Sequence, residues 1–361
     1  MNRRLSFLAC ALLVTCSLRL AADELPQKIA PDNDSIALQG AWTDDFKGSW
    51  TGIGFKVRTD ADAMNILMQD YAPGGLHGDA EDDYRNNYLN IRIDDEVPTA
   101  IALQKGQTRY AVSGFDGKPH TVTVFRRTEP LFKPIQFLGL ELPVGAQLLP
   151  PPPMSDVRLQ VIGDSISCGY GNETDGIKAP FRPATENGEL TYWAIAGREL
   201  GADVRCAAWS GKGVLRDRNN NLHGQLPEIW RQALPETGEP ERAGTAWVPT
   251  IVVINLGTND SAKGIPPKDD YIAAYQALID DIRSTAPEAK IFCVFGPMIY
   301  TPKHSEILAY LNEIAANNQQ VYVVKLTNEF GMQGVGAHWH PNVKSNQAMA
   351  KQLLTAIEAT Q

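Results

Sequence analysis

The sequence predicts an α/β chain built in two parts, an antiparallel β-sandwich followed by a parallel sheet flanked by helices. Three observations predict it. Residues 37–148 hold short β-rich runs separated by turn signals, residues 150–153 are four consecutive prolines, and beyond residue 155 apolar strand-like runs alternate with helical stretches.

The N-terminus is read first. Arg3 and Arg4 form a basic start, Leu5 to Leu18 an apolar stretch, and Ala21 and Ala22 a small-residue end before Asp23 and Glu24. That is the pattern of a secretory signal over residues 1–22, so the mature chain is expected to be secreted or periplasmic. The apolar stretch is shorter than the roughly 20 residues a membrane helix needs. A lipid anchor is a poor fit, because Cys10 follows too short an apolar run and Cys16 follows Thr15. Residues 23–34 are polar and contain Pro26 and Pro31, and are expected to lead in flexibly.

The sandwich is expected over residues 35–149. Trp50, Ile53 and Phe55 are spaced by small or polar residues, Tyr88, Leu89, Ile91 and Ile93 follow, and Thr121 to Phe125 is a β-branched run. Asp116-Gly117-Lys118-Pro119 is a turn signal just before that run. Pro150 to Pro153 can continue neither a helix nor a ladder, so they mark the boundary. After them, buried strands are expected at Leu159–Ile162, Val204–Ala207, Ile251–Asn255, Ile291–Phe295 and Val321–Val324. Helices are expected at 191–200, 270–284, 305–317 and 345–360, which makes residues 155–361 a set of βαβ units.

Composition narrows the partners. The 361 residues carry 33 Lys+Arg against 42 Asp+Glu, a net charge of -9, and the basic signal segment makes the remainder more negative still. Such a surface repels polyanions, which argues against nucleic acid and anionic membrane as partners. A hydrophobic content of 43% is ordinary for a globular chain. Of five Cys, only Cys168, Cys206 and Cys293 lie beyond the signal. They make no disulfide framework and no Cys-x-x-Cys, and Cys206 and Cys293 sit in strand-like runs as expected of buried thiols.

In an open α/β sheet, ligands bind beyond the carboxyl ends of the strands, so the loops after each strand are searched for chemistry. The first strand ends in Gly163-Asp164-Ser165-Ile166-Ser167, which exposes a serine hydroxyl at a helix start. By itself that tripeptide is a weak signal, and it is not the Gly-x-Ser-x-Gly elbow of another hydrolase class. The second strand ends at Trp209-Ser210-Gly211-Lys212-Gly213, where glycine lets a substrate oxygen approach a backbone N–H. The third ends at Gly257-Thr258-Asn259-Asp260, and a loop before the last helix holds His338-Trp339-His340-Pro341-Asn342. A hydroxyl, a backbone donor, an amide donor and an imidazole from four separate loops are the parts acyl transfer needs.

These four segments resemble the blocks of the SGNH (GDSL-like) hydrolases. The front half with Phe125-Arg126-Arg127-Thr128-Glu129, the proline run, and Cys168-Gly169-Tyr170-Gly171-Asn172 after the serine resemble carbohydrate esterase family 2. The likeness spans about residues 35–360. It implies a jelly-roll front domain, an SGNH second domain, and removal of acetyl groups from plant polysaccharides such as xylan, mannan or glucomannan. It also implies that Ser165 is the nucleophile and His340 the general base. Ser165 N–H, Gly211 N–H and the Asn259 amide would form the oxyanion hole, with Gly213 as a second choice for the backbone donor. Most SGNH enzymes carry an Asp two or three residues before the histidine. Here those places are His338 and Ala337, and no acid occurs between Glu329 and His340. By the resemblance, a Ser–His dyad with a main-chain carbonyl orienting the imidazole is expected; a distant acid brought in by folding is the alternative.

Plainer readings stand beside these. His338 and His340 as alternate strand residues would face one side and suit a metal, but no third ligand lies nearby, so neither metal nor cofactor is expected. Trp339 is either a core aromatic or a surface on which a sugar ring stacks; Trp209 is read the same way, with structure favoured. Asp164 and Asp260 are expected to hold turns. The expected partner is an acetylated polysaccharide or oligosaccharide. Rival functions are a non-catalytic carbohydrate-binding protein on the same scaffold and an O-acetyltransferase.

Overall fold

The computed structural model describes residues 26–72, 86–243, 247–300, 302, 304–327 and 331–360. The expected signal segment, residues 1–22, lies outside them. The front half is two antiparallel sheets face to face. One runs Gln27–Ile29, Ile135–Leu142, Met64–Asp70, Arg109–Val112, with Lys47–Gly48 also on Ile135–Leu142. The other runs Leu148–Leu149, Gly54–Thr59, His120–Arg126, Tyr88–Ile93, Thr99–Ala102, with Ala37–Gln39 on Gly54–Thr59.

Period-2 patterning builds this layer. In Met64–Asp70 every second residue is buried, which turns Met64, Ile66 and Met68 inward, toward Phe55, Val57, Val122 and Val124 of the facing sheet. Phe55 and Phe137 stack across the gap at 4.4 Å between ring centroids. One expectation is corrected here. Residues 27–29 are not part of a flexible lead-in: they pair antiparallel with Leu140–Leu142 and bury Ile29. A three-residue edge strand with one apolar side chain offers the sequence no period to read.

After Leu148–Leu149 the prolines run without regular structure into the second half. Its elements in order are β1 (Arg158–Gly163), α1 (Ser165–Cys168), α2 (Tyr192–Glu199), β2 (Asp203–Ala208), α3 (Leu226–Ile229), β3 (Ile251–Asn255), α4 (Lys268–Thr285), β4 (Lys290–Phe295), α5 (Ser305–Ala316), β5 (Val321–Lys325) and α6 (Val343–Glu358). The strands form one parallel sheet in the order β2-β1-β3-β4-β5. Every residue of β3 is buried, as a strand covered on both faces requires. Leu159, Val161, Val253 and Phe292 meet Trp193, Met349 and Leu353 of α2 and α6 on one face. Ile162, Val252, Ile254 and Cys293 meet Tyr275, Leu278 and Leu311 of α4 and α5 on the other.

Cys206 and Cys293 are free and buried, as read from their surroundings in the sequence, and so is Cys168. Among the described residues no helix is long and apolar enough to cross a membrane. The two halves share a polar seam. Fully buried Arg126 donates to the carbonyls of Gly48, Glu129 and Lys133 and to Asn87 Oδ1. Its neighbour Arg127 crosses the seam, donating to the carbonyls of Glu186 and Ala184 and pairing with Glu173. Phe125 stacks on Trp193 of α2 across the same seam.

Candidate active site

The end of β1 sets the site. Asp164 caps α1 by accepting the Ile166 N–H at 3.0 Å, and Gly169 closes that single turn in the left-handed region. Ser165 therefore stands at the carboxyl edge of the sheet, nearly buried at 7% exposure.

The loop before α6 brings the imidazole. His340 Nε2 lies 2.8 Å from Ser165 Oγ, and His340 Nδ1 lies 3.1 Å from the carbonyl oxygen of Ala337. Backbone packs on backbone to hold it: a Cβ on Gly171 would stand 2.4 Å from Ala337 Cβ, so only glycine fits there. His338 and Trp339 both take positive φ, 49° and 71°. Successive left-handed non-glycine residues are strained, and such strain collects at functional sites. This corrects the picture of His338 and His340 on one strand face, because the chain turns between them. His338 Nδ1 instead meets Tyr170 Oη at 3.0 Å, while Trp339 is thrown outward, 54% exposed.

Tyr170 is a wall of the site. Its ring lies 4.4 Å from that of His340 and stacks on Phe181 at 3.8 Å. His340 is half-buried by surface, yet the packing around its ring pulls the imidazole down to about 4, with the Arg218 charge adding in the same direction. Burial pushes the Tyr170 hydroxyl up to about 12, so it stays neutral.

The loop after β2 carries Gly211 at φ 85°, a value glycine accepts without cost. The N–H groups of Ser165 and Gly211 have no hydrogen-bond acceptor among the described residues. The Gly213 N–H, in contrast, is spent on Gln225 Oε1 at 3.0 Å. Asn259 Nδ2 donates to the Lys212 carbonyl at 2.8 Å and to Asp164 Oδ2 at 3.1 Å, which draws the three loops together. Burial raises Asp164 to about 7. Asp260 accepts the N–H groups of Val214, Leu215 and Arg216, the turn-holding role expected of it. Trp209 is half-buried with Lys212 Nζ over its ring at 5.2 Å.

Comparison with known proteins adds to this geometry. The sequence model described as "GDSL-like Lipase/Acylhydrolase family" matches residues 161–348, more than half of the chain. The chain belongs to that family. Residues 41–152, in the front half, match the "Carbohydrate esterase 2 N-terminal" model. Over 252 residues the chain is 33% identical to the cellulase/esterase CelE of Acetivibrio thermocellus, covering 68% of this chain and 31% of that one. The chain thus spans about a third of the length of that relative. It is 25% identical over 280 residues to an acetylxylan esterase / glucomannan deacetylase of Cellvibrio japonicus, covering 74% of this chain and 75% of the other. A solved family two carbohydrate esterase from Clostridium thermocellum, in complex with cellohexaose, superposes with a TM-score of 0.80 at 27% identity. It covers 90% of this chain and 98% of its own. The front half thus resembles the N-terminal domain of carbohydrate esterase family 2, and the whole chain superposes on a solved esterase of that family.

Three residues at the site were not singled out by sequence reasoning. Tyr170 lay in a quoted motif with no role given to it. Glu129 also lay in a quoted motif, and its carboxylate accepts the Ser210 N–H at 2.7 Å and the Ser210 hydroxyl. Arg218 had no local signal, yet its N–H donates to the Gly211 carbonyl at 2.9 Å and its side chain lies over that glycine.

Proposed function

We propose that this chain is an exported carbohydrate O-acetyl esterase that works through an acyl-serine formed by a Ser165–His340 dyad. The observation that carries the reading is the 2.8 Å contact between His340 Nε2 and Ser165 Oγ, with Nδ1 turned to the Ala337 carbonyl. A proton on Nδ1 leaves the Nε2 lone pair facing the hydroxyl, so the imidazole is neutral and set to act as a base. Ser165 Oγ attacks the acetyl carbonyl carbon as its proton passes to Nε2. The C–O bond to the sugar then breaks and the sugar oxygen takes that proton from His340. Water, deprotonated by the same nitrogen, attacks the acyl carbon; the bond to Ser165 Oγ breaks, that oxygen takes the proton back from His340, and acetate leaves.

The negative oxygen formed in each half would be met by the N–H groups of Ser165 and Gly211 and by Asn259 Nδ2, with the longer Asn259 bond to Asp164 exchanged for the oxyanion. A donor of this kind is worth about 10²–10³ in rate. Trp339, exposed beside the dyad, is proposed to stack on a sugar ring, with Trp209 supporting the loop beneath. Xylan and glucomannan are the proposed polymers, because a relative carries both activities in its name. Export rests on the basic start and apolar stretch of residues 1–22.

Acetate release from acetylated xylan and acetylated glucomannan tests the reading, with Ser165→Ala and a chelator as controls. The expected outcome is release that vanishes in Ser165→Ala and ignores the chelator. Release that survives in the variant and dies with the chelator would sink the serine mechanism. Retained binding without release would favour the carbohydrate-binding reading.

A further inference from the structure

We propose that Glu129, a residue of the front domain, positions the backbone oxyanion donor Gly211 by gripping Ser210, so that the sandwich supplies part of the working site of the other half. This rests on the esterase reading above and goes beyond it.

Ser210 lies at the tip of the loop after β2. Its N–H donates to Glu129 Oε2 at 2.7 Å and its hydroxyl donates to Glu129 Oε1. Both oxygens of one carboxylate thus hold both donors of one residue, which fixes the rotation of the backbone at Ser210. The next peptide unit is the one that presents the Gly211 N–H. On its far side the Lys212 N–H closes a turn on the Trp209 carbonyl at 3.2 Å, and the Lys212 carbonyl accepts Asn259 Nδ2. The donor peptide is therefore clamped at one end by the front domain and at the other by Asn259.

The clamp is itself rigid. Glu129 is fully buried, its N–H donates to Glu186 Oε2 at 3.2 Å, and its carbonyl accepts from Arg126. Burial raises both carboxyl groups, Glu186 the further. The two oxygens of one buried side chain meet the two donors of Ser210 at once, so neither the side chain nor the loop can turn without breaking a bond. None of this is needed to fold a loop at the surface; it is the arrangement that preorganises a donor for charge developing later.

The test compares wild type with Glu129→Gln, Ser210→Ala and the double variant, on acetylated oligosaccharide. Gln keeps the shape but turns an N–H donor toward a Ser210 donor. The expected result for Glu129→Gln is a fall in kcat of about 10–100-fold with KM within about twofold, below the roughly 10²–10³ of deleting a donor outright. Affinity for a tetrahedral methylphosphonate-type analogue should fall by the same factor, while oligosaccharide affinity measured in a Ser165→Ala background stays put. Ser210→Ala, which removes only the hydroxyl from the grip, should lose several-fold in kcat, and the double variant should lose no more than Glu129→Gln alone.

A Glu129→Gln protein with full kcat and unchanged analogue affinity overturns the proposal even if its Tm drops. Should that variant fail to fold, Ser210→Ala decides, and a wild-type kcat there overturns it. Wild type that releases no acetate overturns the esterase reading itself, whereas active wild type beside an equally active variant overturns the positioning alone.

Discussion

His340 Nδ1 faces the carbonyl oxygen of Ala337 at 3.1 Å, three residues upstream on the same loop. A neutral peptide oxygen can fix the tautomer of the ring, but it cannot offset the charge of an imidazolium as a carboxylate would. Asp175 lies close to this loop, but its carboxylate is spent on Asn342 Nδ2 at 3.1 Å. Glu173 pairs with Arg127 and accepts from Asn187. Asp175→Asn and Glu173→Gln are each expected to cost less than tenfold in kcat/KM. A fall near the roughly 10⁴ seen when a triad acid is lost, in either variant, would show that a carboxylate orients the ring after all.

The pH profile follows from the same ring. Its packing holds His340 near 4, well below the ordinary histidine value of 6.5, so the neutral form that accepts the Ser165 proton persists into mild acid. The sign is that activity is lost as pH falls through the lowered value, not through 6.5. kcat/KM measured from pH 3.5 to 8 is expected to stay level down to about pH 5. A limb centred near 6.5 would mean that the free enzyme leaves the imidazole open to water.

Trp339 offers its ring to solvent on a left-handed residue beside the dyad. Trp339→Ala is expected to raise KM on acetylated polymer by roughly 2- to 12-fold, the worth of one aromatic stack of about 0.5–1.5 kcal/mol. Turnover of a small acetyl ester with no sugar should change little. The reverse pattern, with kcat lost on both, would make the tryptophan a support of the His340 loop.

The seam between the halves is tight at Gly188, where an added Cβ would stand 2.1 Å from Thr51 Cγ2. Gly188→Ala is expected to lower stability by about 1–3 kcal/mol, the usual range for overpacking a filled core. Thr51→Ser removes that methyl group, so the pair should recover most of the lost Tm. Additive losses in the double variant would show that the strain lies in the backbone at Gly188.

Much of this arrangement was legible in the chain itself. The central strands of the parallel sheet are buried on both faces, so Ile251–Ile254 and Ile291–Phe295 read as unbroken apolar runs. Because chemistry collects after such strands, the loops with Ser165, Gly211, Asn259 and His340 could be found from order alone. What could not be found is whatever depends on distant packing. Glu129 meets Ser210 from 81 residues away, and nothing local distinguishes it from an acid on a turn. Tyr170 acquires its place from Phe181 and the His340 loop, and Gln225 takes up the Gly213 N–H from 12 residues away. The short strand Gln27–Ile29 escaped for lack of length.

The four prolines at 150–153 separate a sandwich from a parallel sheet, yet the Glu129–Ser210 contact crosses that boundary. A chain severed there would leave Ser210 without its carboxylate. Exchange of front halves between relatives is then constrained at this side chain as well as along the Arg127 and Phe125 seam: a newcomer has to deliver an acid to the same spot. The proline run divides two architectures without dividing the site that the Glu129–Ser210 contact joins.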